Sequence, residues 1–150
     1  MHLHFRAVTM ENRQQAESLS VFPEQMDFIE SVAECLKEAD ETTEWNTVGI
    51  YDDDILIGFA MYGYFQTPLP NGEAWLDRVL IDKAYQGKGY GKAAVFLLLK
   101  KIHEDYACNR IYLSVFDTNQ LSIHLYKVLG FDFNGEYDAK GERIMVYDFK

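Results

Sequence analysis

The run from Trp75 to Lys92, Trp-Leu-Asp-Arg-Val-Leu-Ile-Asp-Lys-Ala-Tyr-Gln-Gly-Lys-Gly-Tyr-Gly-Lys, continues into the apolar stretch Ala93 to Leu99 and constrains the fold more than any other part of the chain. Val79, Leu80 and Ile81 are β-prone and continuously apolar, as in a strand buried on both faces. Gly87, Gly89 and Gly91 then fall on alternate positions, where the apolar period changes from strand-like to helical. Such glycines let the backbone turn tightly and present its N–H groups. The free amides and positive dipole end of the following helix point the same way. A strand, a glycine loop and a helix in this order make an anion site, most naturally for phosphate.

Two better-known glycine loops do not fit. A P-loop requires glycine where this chain has Gln86, and Ser or Thr where it has Ala93; a dinucleotide fingerprint requires its third glycine at Lys92. What stands here, Gln86-Gly87-Lys88-Gly89-Tyr90-Gly91, resembles the Gln/Arg-x-x-Gly-x-Gly signature of the GNAT superfamily of N-acetyltransferases. A second stretch agrees with it. In Asn119-Gln-Leu-Ser-Ile-His-Leu-Tyr-Lys-Val-Leu-Gly-Phe131, the residues Leu121, Leu125, Val128 and Leu129 form an apolar stripe, and Gly130 is placed to end a helix. This is similar to the GNAT pattern Asn-x-x-Ala-x-x-Leu-Tyr-x-x-x-Gly-Phe, with Ser122 in place of the frequent Ala.

The remaining elements follow in order. Leu3 to Val8 alternates as a first strand, and Thr9 can cap a helix beginning at Met10. Pro23 marks the start of a second helical region, in which Phe28, Ile29, Val32, Ala33 and Leu36 recur at helical spacing. Thr47 to Tyr51 and Ile55 to Tyr64 read as strands joined by the turn Asp52-Asp53-Asp54, which lacks the spaced ligands of a calcium loop. Thr67 to Gly72 reads as a loop leading into a strand near Glu73. The central helix is expected to end near Tyr106, followed by a strand over Arg110 to Phe116. Phe133 to Tyr137 and Arg143 to Phe149 form a closing hairpin around Asp138 to Gly141. The order predicts one domain over residues 1–150 of α/β (mixed α+β) class. The resemblance implies the GNAT fold, a mixed, mostly antiparallel sheet of about seven strands splayed between the fourth and fifth, with about four helices.

Composition narrows the partners. The net charge of −10 opposes binding to nucleic acid or anionic membranes, and the longest apolar run is far shorter than the roughly 20 residues a membrane helix needs. Cys35 and Cys108 stand far apart without CxxC spacing, so free thiols in a reducing cytoplasm are expected. No His, Cys and Asp cluster has metal-ligand spacing. Acidity favours cationic partners, and equally it can serve solubility.

The resemblance implies transfer of acetyl from acetyl-coenzyme A to an amine. The loop from Gln86 to Gly91 would hold the cofactor's pyrophosphate, with Lys88 and Lys92 as point charges and the backbone amides of Leu80 and Ile81 at the thioester carbonyl. Asn119 would contact the pantetheine arm or cap its helix. Tyr126 would donate a proton to the leaving thiolate, its alternative being a core-filling tyrosine. An attacking amine must be neutral, yet its ordinary pKa is about 10, so a base is required. Asp77 lies where many GNAT enzymes carry one; the alternative is an ion pair with an arginine, although alternation sends Arg78 to the opposite face.

Trp75-Leu-Asp-Arg, Phe28-Ile-Glu-Ser and Gly58-Phe-Ala-Met-Tyr-Gly63 resemble bacterial spermine/spermidine (diamine) acetyltransferases. That likeness implies a small polyamine acceptor, for which Glu30, Glu73 and Asp77 are the candidate substrate-binding acids. Acetylation of a protein N-terminus, lysine or aminoglycoside, and a non-catalytic acyl-coenzyme A sensor, are the alternatives. Homodimers are common in the superfamily.

Overall fold

The computed structural model describes residues 1–26, 28–66 and 72–149. Among them, the strands β1 (Leu3–Ala7), β2 (Trp45–Asp52), β3 (Ile55–Phe65), β4 (Glu73–Ile81), β5 (Arg110–Val115), β6 (Asp132–Tyr137) and β7 (Arg143–Asp148) form one sheet in the order β1-β2-β3-β4-β5-β7-β6. Four helices accompany it: α1 (Arg13–Glu17), α2 (Val32–Asp40), α3 (Tyr90–Tyr106) and α4 (Gln120–Leu129). Neighbouring strands are antiparallel except β4 and β5, which run parallel. This is the mixed, mostly antiparallel sheet with four helices that the sequence and its resemblance imply.

Alternation along β3 divides the interior into two layers. Ala60 and Tyr62 face a core built with Ala94, Val95, Leu98 and Ile102 of α3. Phe59 and Met61 face a second core with Ala16 of α1 and Val32, Cys35 and Leu36 of α2. A sheet covered on both faces accounts for the long apolar run of β3.

β4 and β5 pair only at Ala74 with Ile111 and Trp75 with Tyr112, whose rings stack at a centroid distance of 5.2 Å. Beyond that point the strands part. β4 continues from Leu76 to Ile81 with β3 on one side and without a β5 partner on the other, so its backbone groups on that edge face an opening.

Two helix starts differ from the sequence reading. Thr9 Oγ1 accepts from the Glu11 amide at 3.3 Å, but α1 begins only at Arg13, after Asn12. α2 begins at Val32 rather than Phe28. Ser31 Oγ accepts from the Glu34 amide at 3.2 Å and the Glu34 carboxylate accepts from the Ser31 amide at 3.1 Å, a reciprocal cap that fixes the start there. Pro23 instead opens a single 3₁₀ turn, Pro23–Gln25, which leaves Phe28, Ile29 and Glu30 in the connection. Of the expected loop at 67–72, residues 67–71 lie outside the described residues.

Candidate active site

The opening between β4 and β5 is the mouth of a cleft of about 660 Å³. Its floor is the free edge of β4, from Asp77 to Ile81; the glycine loop and the start of α3 close one end; Ser114 to Phe116 of β5 and its exit, with Tyr126 of α4, form the far wall. Phe28, from the connection before α2, approaches Phe116 with ring centroids 6.2 Å apart and roofs the cleft.

Gly87 and Gly89 adopt φ of 78° and 85° with open space where a Cβ would stand, so backbone conformation rather than crowding requires glycine there. Gly89 caps α3, which leaves the first N–H groups of the helix at Tyr90, Gly91 and Lys92 without intrahelical acceptors. Gln86, Gly87, Tyr90 and Gly91 line the cleft. The Gln86 side chain donates to the Ile81 carbonyl at 2.8 Å and exchanges amide hydrogen bonds with Gln25 at 2.9 Å. The Tyr90 hydroxyl is engaged by Asp52, so Tyr90 offers the cleft its backbone amide.

A bulge in β4 changes what Asp77 and Arg78 can do. Met61 pairs with Arg78 and Tyr62 with Leu76, so Asp77 is the extra residue. Arg78 shares the α1–α2 face with Met61; Asp77 follows Leu76, which faces α3, and therefore points the same way as Arg78. The expectation of opposite faces is thus corrected: the bulge cancels one step of the alternation. Arg78 Nη1 lies 2.9 Å from Asp77 Oδ2 and donates to Asp77's own carbonyl at 2.8 Å, while Nη2 meets Glu30 at 2.5 Å. The Asp77–Arg78 contact is Coulombic rather than a formed hydrogen bond, since Asp77 Oδ2 is buried and accepts none among the described residues.

The carboxyls respond differently. Burial pushes the Asp77 carboxyl above its ordinary range, with the Arg78 charge opposing. Burial also acts on Glu30, but the charge and hydrogen bond of Arg78, joined by Lys140 at 3.4 Å, hold it below the ordinary range. The phenol of Tyr126, edge-on to Phe131 with centroids 5.6 Å apart, is pushed up to about 12 by burial alone.

Of the residues singled out from sequence, Asp77, Leu80, Ile81, Gln86, Gly87, Tyr90, Gly91, Asn119 and Tyr126 meet at this cleft. Asn119 also caps α4, accepting from the Ser122 amide at 3.4 Å, so its two readings are compatible. Glu73, Glu30, Lys88, Gly89 and Lys92 are not among the cleft residues. Glu73 sits at the closed end of β4, accepting from Trp75 Nε1 at 3.1 Å; Glu30 stands behind Arg78; Lys88 leans over Tyr85; Lys92 lines a separate hollow beside Met1, Leu3 and Phe96. In their place the cleft carries Glu24 and Glu142, which sequence reasoning missed. Glu24 adjoins Pro23 and Glu142 the β6–β7 turn, where no periodicity places a side chain. Glu142 makes no side-chain hydrogen bond among the described residues, and burial raises its carboxyl. Among the described residues no three His, Cys, Asp or Glu side chains gather as a metal site, and no helix is long and apolar enough to cross a membrane.

Comparison with known proteins agrees with this geometry. The "Spermine/spermidine N(1)-acetyltransferase" of Bacillus subtilis is 45% identical over 149 residues, covering 97% of this chain and 98% of that protein. In fold, the chain is similar to the spermidine N-acetyltransferase of Vibrio cholerae in complex with CoA and spermine, with TM-score 0.74, 19% identity and 98% and 95% of the two chains covered. It is also similar to AAC(6')-Ib in complex with paromomycin and acetyl-CoA, with TM-score 0.82, 16% identity and 99% and 94% covered. The Acetyltransferase (GNAT) family profile matches residues 8–131, and the chain belongs to that family.

Proposed function

We propose that this chain transfers the acetyl group of acetyl-coenzyme A to a primary amine of a polyamine such as spermine or spermidine. The observation that carries the reading is the convergence, on one cleft, of the glycine-loop amides, the unpaired edge of β4, the partly buried Asp77 carboxyl and the Tyr126 phenol. The relative at 45% identity supports the acceptor class.

The loop amides from Gln86 to Gly91 and the start of α3 hold the pyrophosphate. A backbone N–H on the unpaired edge of β4, around Leu80 and Ile81, polarises the thioester carbonyl where its oxygen gains charge. The neutral amine attacks the carbonyl carbon; a C–N bond forms as the C–S bond breaks. The amine's proton passes to Asp77, directly or through water, and the Tyr126 hydroxyl protonates the departing thiolate. Asp77 regains its carboxylate form and Tyr126 its proton by exchange with solvent. Further ammonium groups of the acceptor meet Glu142 and Glu24, with Asp77 adding to the negative field.

Release of free thiol from acetyl-coenzyme A, measured against spermine, spermidine, putrescine, a lysine peptide and an aminoglycoside, tests this. Turnover is expected to be strongest on spermine or spermidine and to weaken as salt rises. Coenzyme binding without turnover on any amine would contradict it.

A further inference from the structure

Asp77 has to combine two demands that conflict. It must be enclosed, so that the proton it takes is not lost to bulk water, and it must still be a carboxylate when the amine arrives. A buried carboxyl surrounded by other acids takes up a proton instead. Glu30 approaches from the connection before α2, Glu38 and Cys35 from α2 itself, and Glu142 and Lys140 from the β6–β7 turn; all interact electrostatically with Asp77 or stand in the same cluster. Cys35 adds no charge, because burial raises its thiol to about 12. Three acids therefore surround Asp77, and the cations opposing them are Lys140 and Arg78.

Their placements differ. Lys140 is mostly exposed and bonds Glu30 at 3.4 Å. Arg78 has only 17% of its side chain exposed, and the bulge sets it beside Asp77 with Nη1 at 2.9 Å from Oδ2, its other end anchored on Glu30 at 2.5 Å. Among the described residues, Arg78 Nε is buried without a hydrogen-bond partner. The guanidinium thus takes an orientation fixed by Glu30 rather than one that satisfies all its own donors. We infer that Arg78 is a positioning residue which, anchored by Glu30, keeps Asp77 ionised at the floor of the cleft. The bulge is the device that makes this possible, since regular alternation would place the guanidinium on the far face of the sheet.

The inference rests on Asp77 receiving the amine's proton, and the test separates the two claims. The variants are Arg78→Gln, Arg78→Lys, Glu30→Gln and Asp77→Asn. They are read by the pH dependence of kcat/KM on spermidine and by carboxyl-carbon NMR titration of Asp77, with melting temperatures as a folding control. The same amine is used throughout, so its own ionisation is common to all profiles.

Removing the Arg78 charge favours the protonated acid, so the acidic limb of Arg78→Gln moves to higher pH. Its loss of kcat/KM is expected to be ~10-fold greater at pH ~6 than at pH ~9. Arg78→Lys restores part of the low-pH activity. Glu30→Gln keeps an oxygen that accepts from Arg78 Nη2 but removes a neighbouring negative charge, and moves the limb the opposite way. A uniform loss in Arg78→Gln at every pH, with the Asp77 titration unmoved, would overturn the role of Arg78 alone. An Asp77→Asn enzyme that keeps wild-type rate and acidic limb would overturn the base assignment and this inference together.

Discussion

The Gln86 side-chain amide donates to the main-chain carbonyl of Ile81 at 2.8 Å, tying the glycine loop back to the end of β4. Gln86 also exchanges amide hydrogen bonds with Gln25, another residue of the cleft wall. The glutamine is therefore a strut that sets where the loop amides stand.

Substituting Gln86→Ala removes these bonds without touching the glycines. With each bond contributing about 1 kcal/mol, coenzyme A affinity is expected to weaken ~10-fold through loss of preorganisation. Isothermal titration calorimetry checks this; unchanged affinity would show that the loop holds its shape unaided.

Tyr126→Phe keeps the ring packed on Phe131 and deletes only the hydroxyl proposed as the proton donor. Turnover is expected to fall ~10²-fold or more while the affinity for coenzyme A stays within twofold. A proton donor works below its pKa, and burial raises that of Tyr126 to about 12. Tyr126 therefore stays protonated across the neutral and mildly alkaline range, and ionisation of this phenol sets no alkaline limit there. Phenolate absorbance of wild type against Tyr126→Phe reads this directly.

Gly58 pairs with Ile81 across β3 and β4, and a Cβ there would stand 2.4 Å from the Leu80 carbonyl oxygen. Gly58→Ala must push β3 away from the strand whose other edge faces the cleft. A loss of about 1–3 kcal/mol in stability is expected, together with reduced kcat. Thermal melting and steady-state rates measure the two effects.

Ser31→Ala removes the cap that starts α2, at a cost of about 1 kcal/mol, or ~2–4 °C in melting temperature. Differential scanning calorimetry checks the size of the drop.

The parts of the fold legible in sequence are those with strong local signals. Val79 to Ile81, the alternate glycines and the apolar face of α3 specify strand, loop and helix through short-range chemistry. Gly130 ends α4 with a φ of 114°, where its place in the sequence suggested. The start of α2 was obscured because Phe28 and Ile29 mimic helical spacing while packing over the cleft, and the Ser31–Glu34 cap outweighs that pattern. The side of the sheet taken by Arg78 depends on a bulge, and a bulge shows only when β4 is set against β3. Glu142 and Glu24 reach the cleft through tertiary placement of turns, which periodicity does not carry. Glu73 shares a strand with Asp77 but lies at its closed end, because the strands part only beyond Trp75.

The most direct test of polyamine acetylation by direct transfer is a rapid-quench single turnover with acetyl-coenzyme A and spermidine, followed by mass spectrometry of both small molecule and protein. Direct transfer yields one acetylspermidine per free thiol, formed at the same rate, with no acetylated protein at any time point. An acetyl-protein species that precedes the product, or thiol release without acetylspermidine, would contradict it.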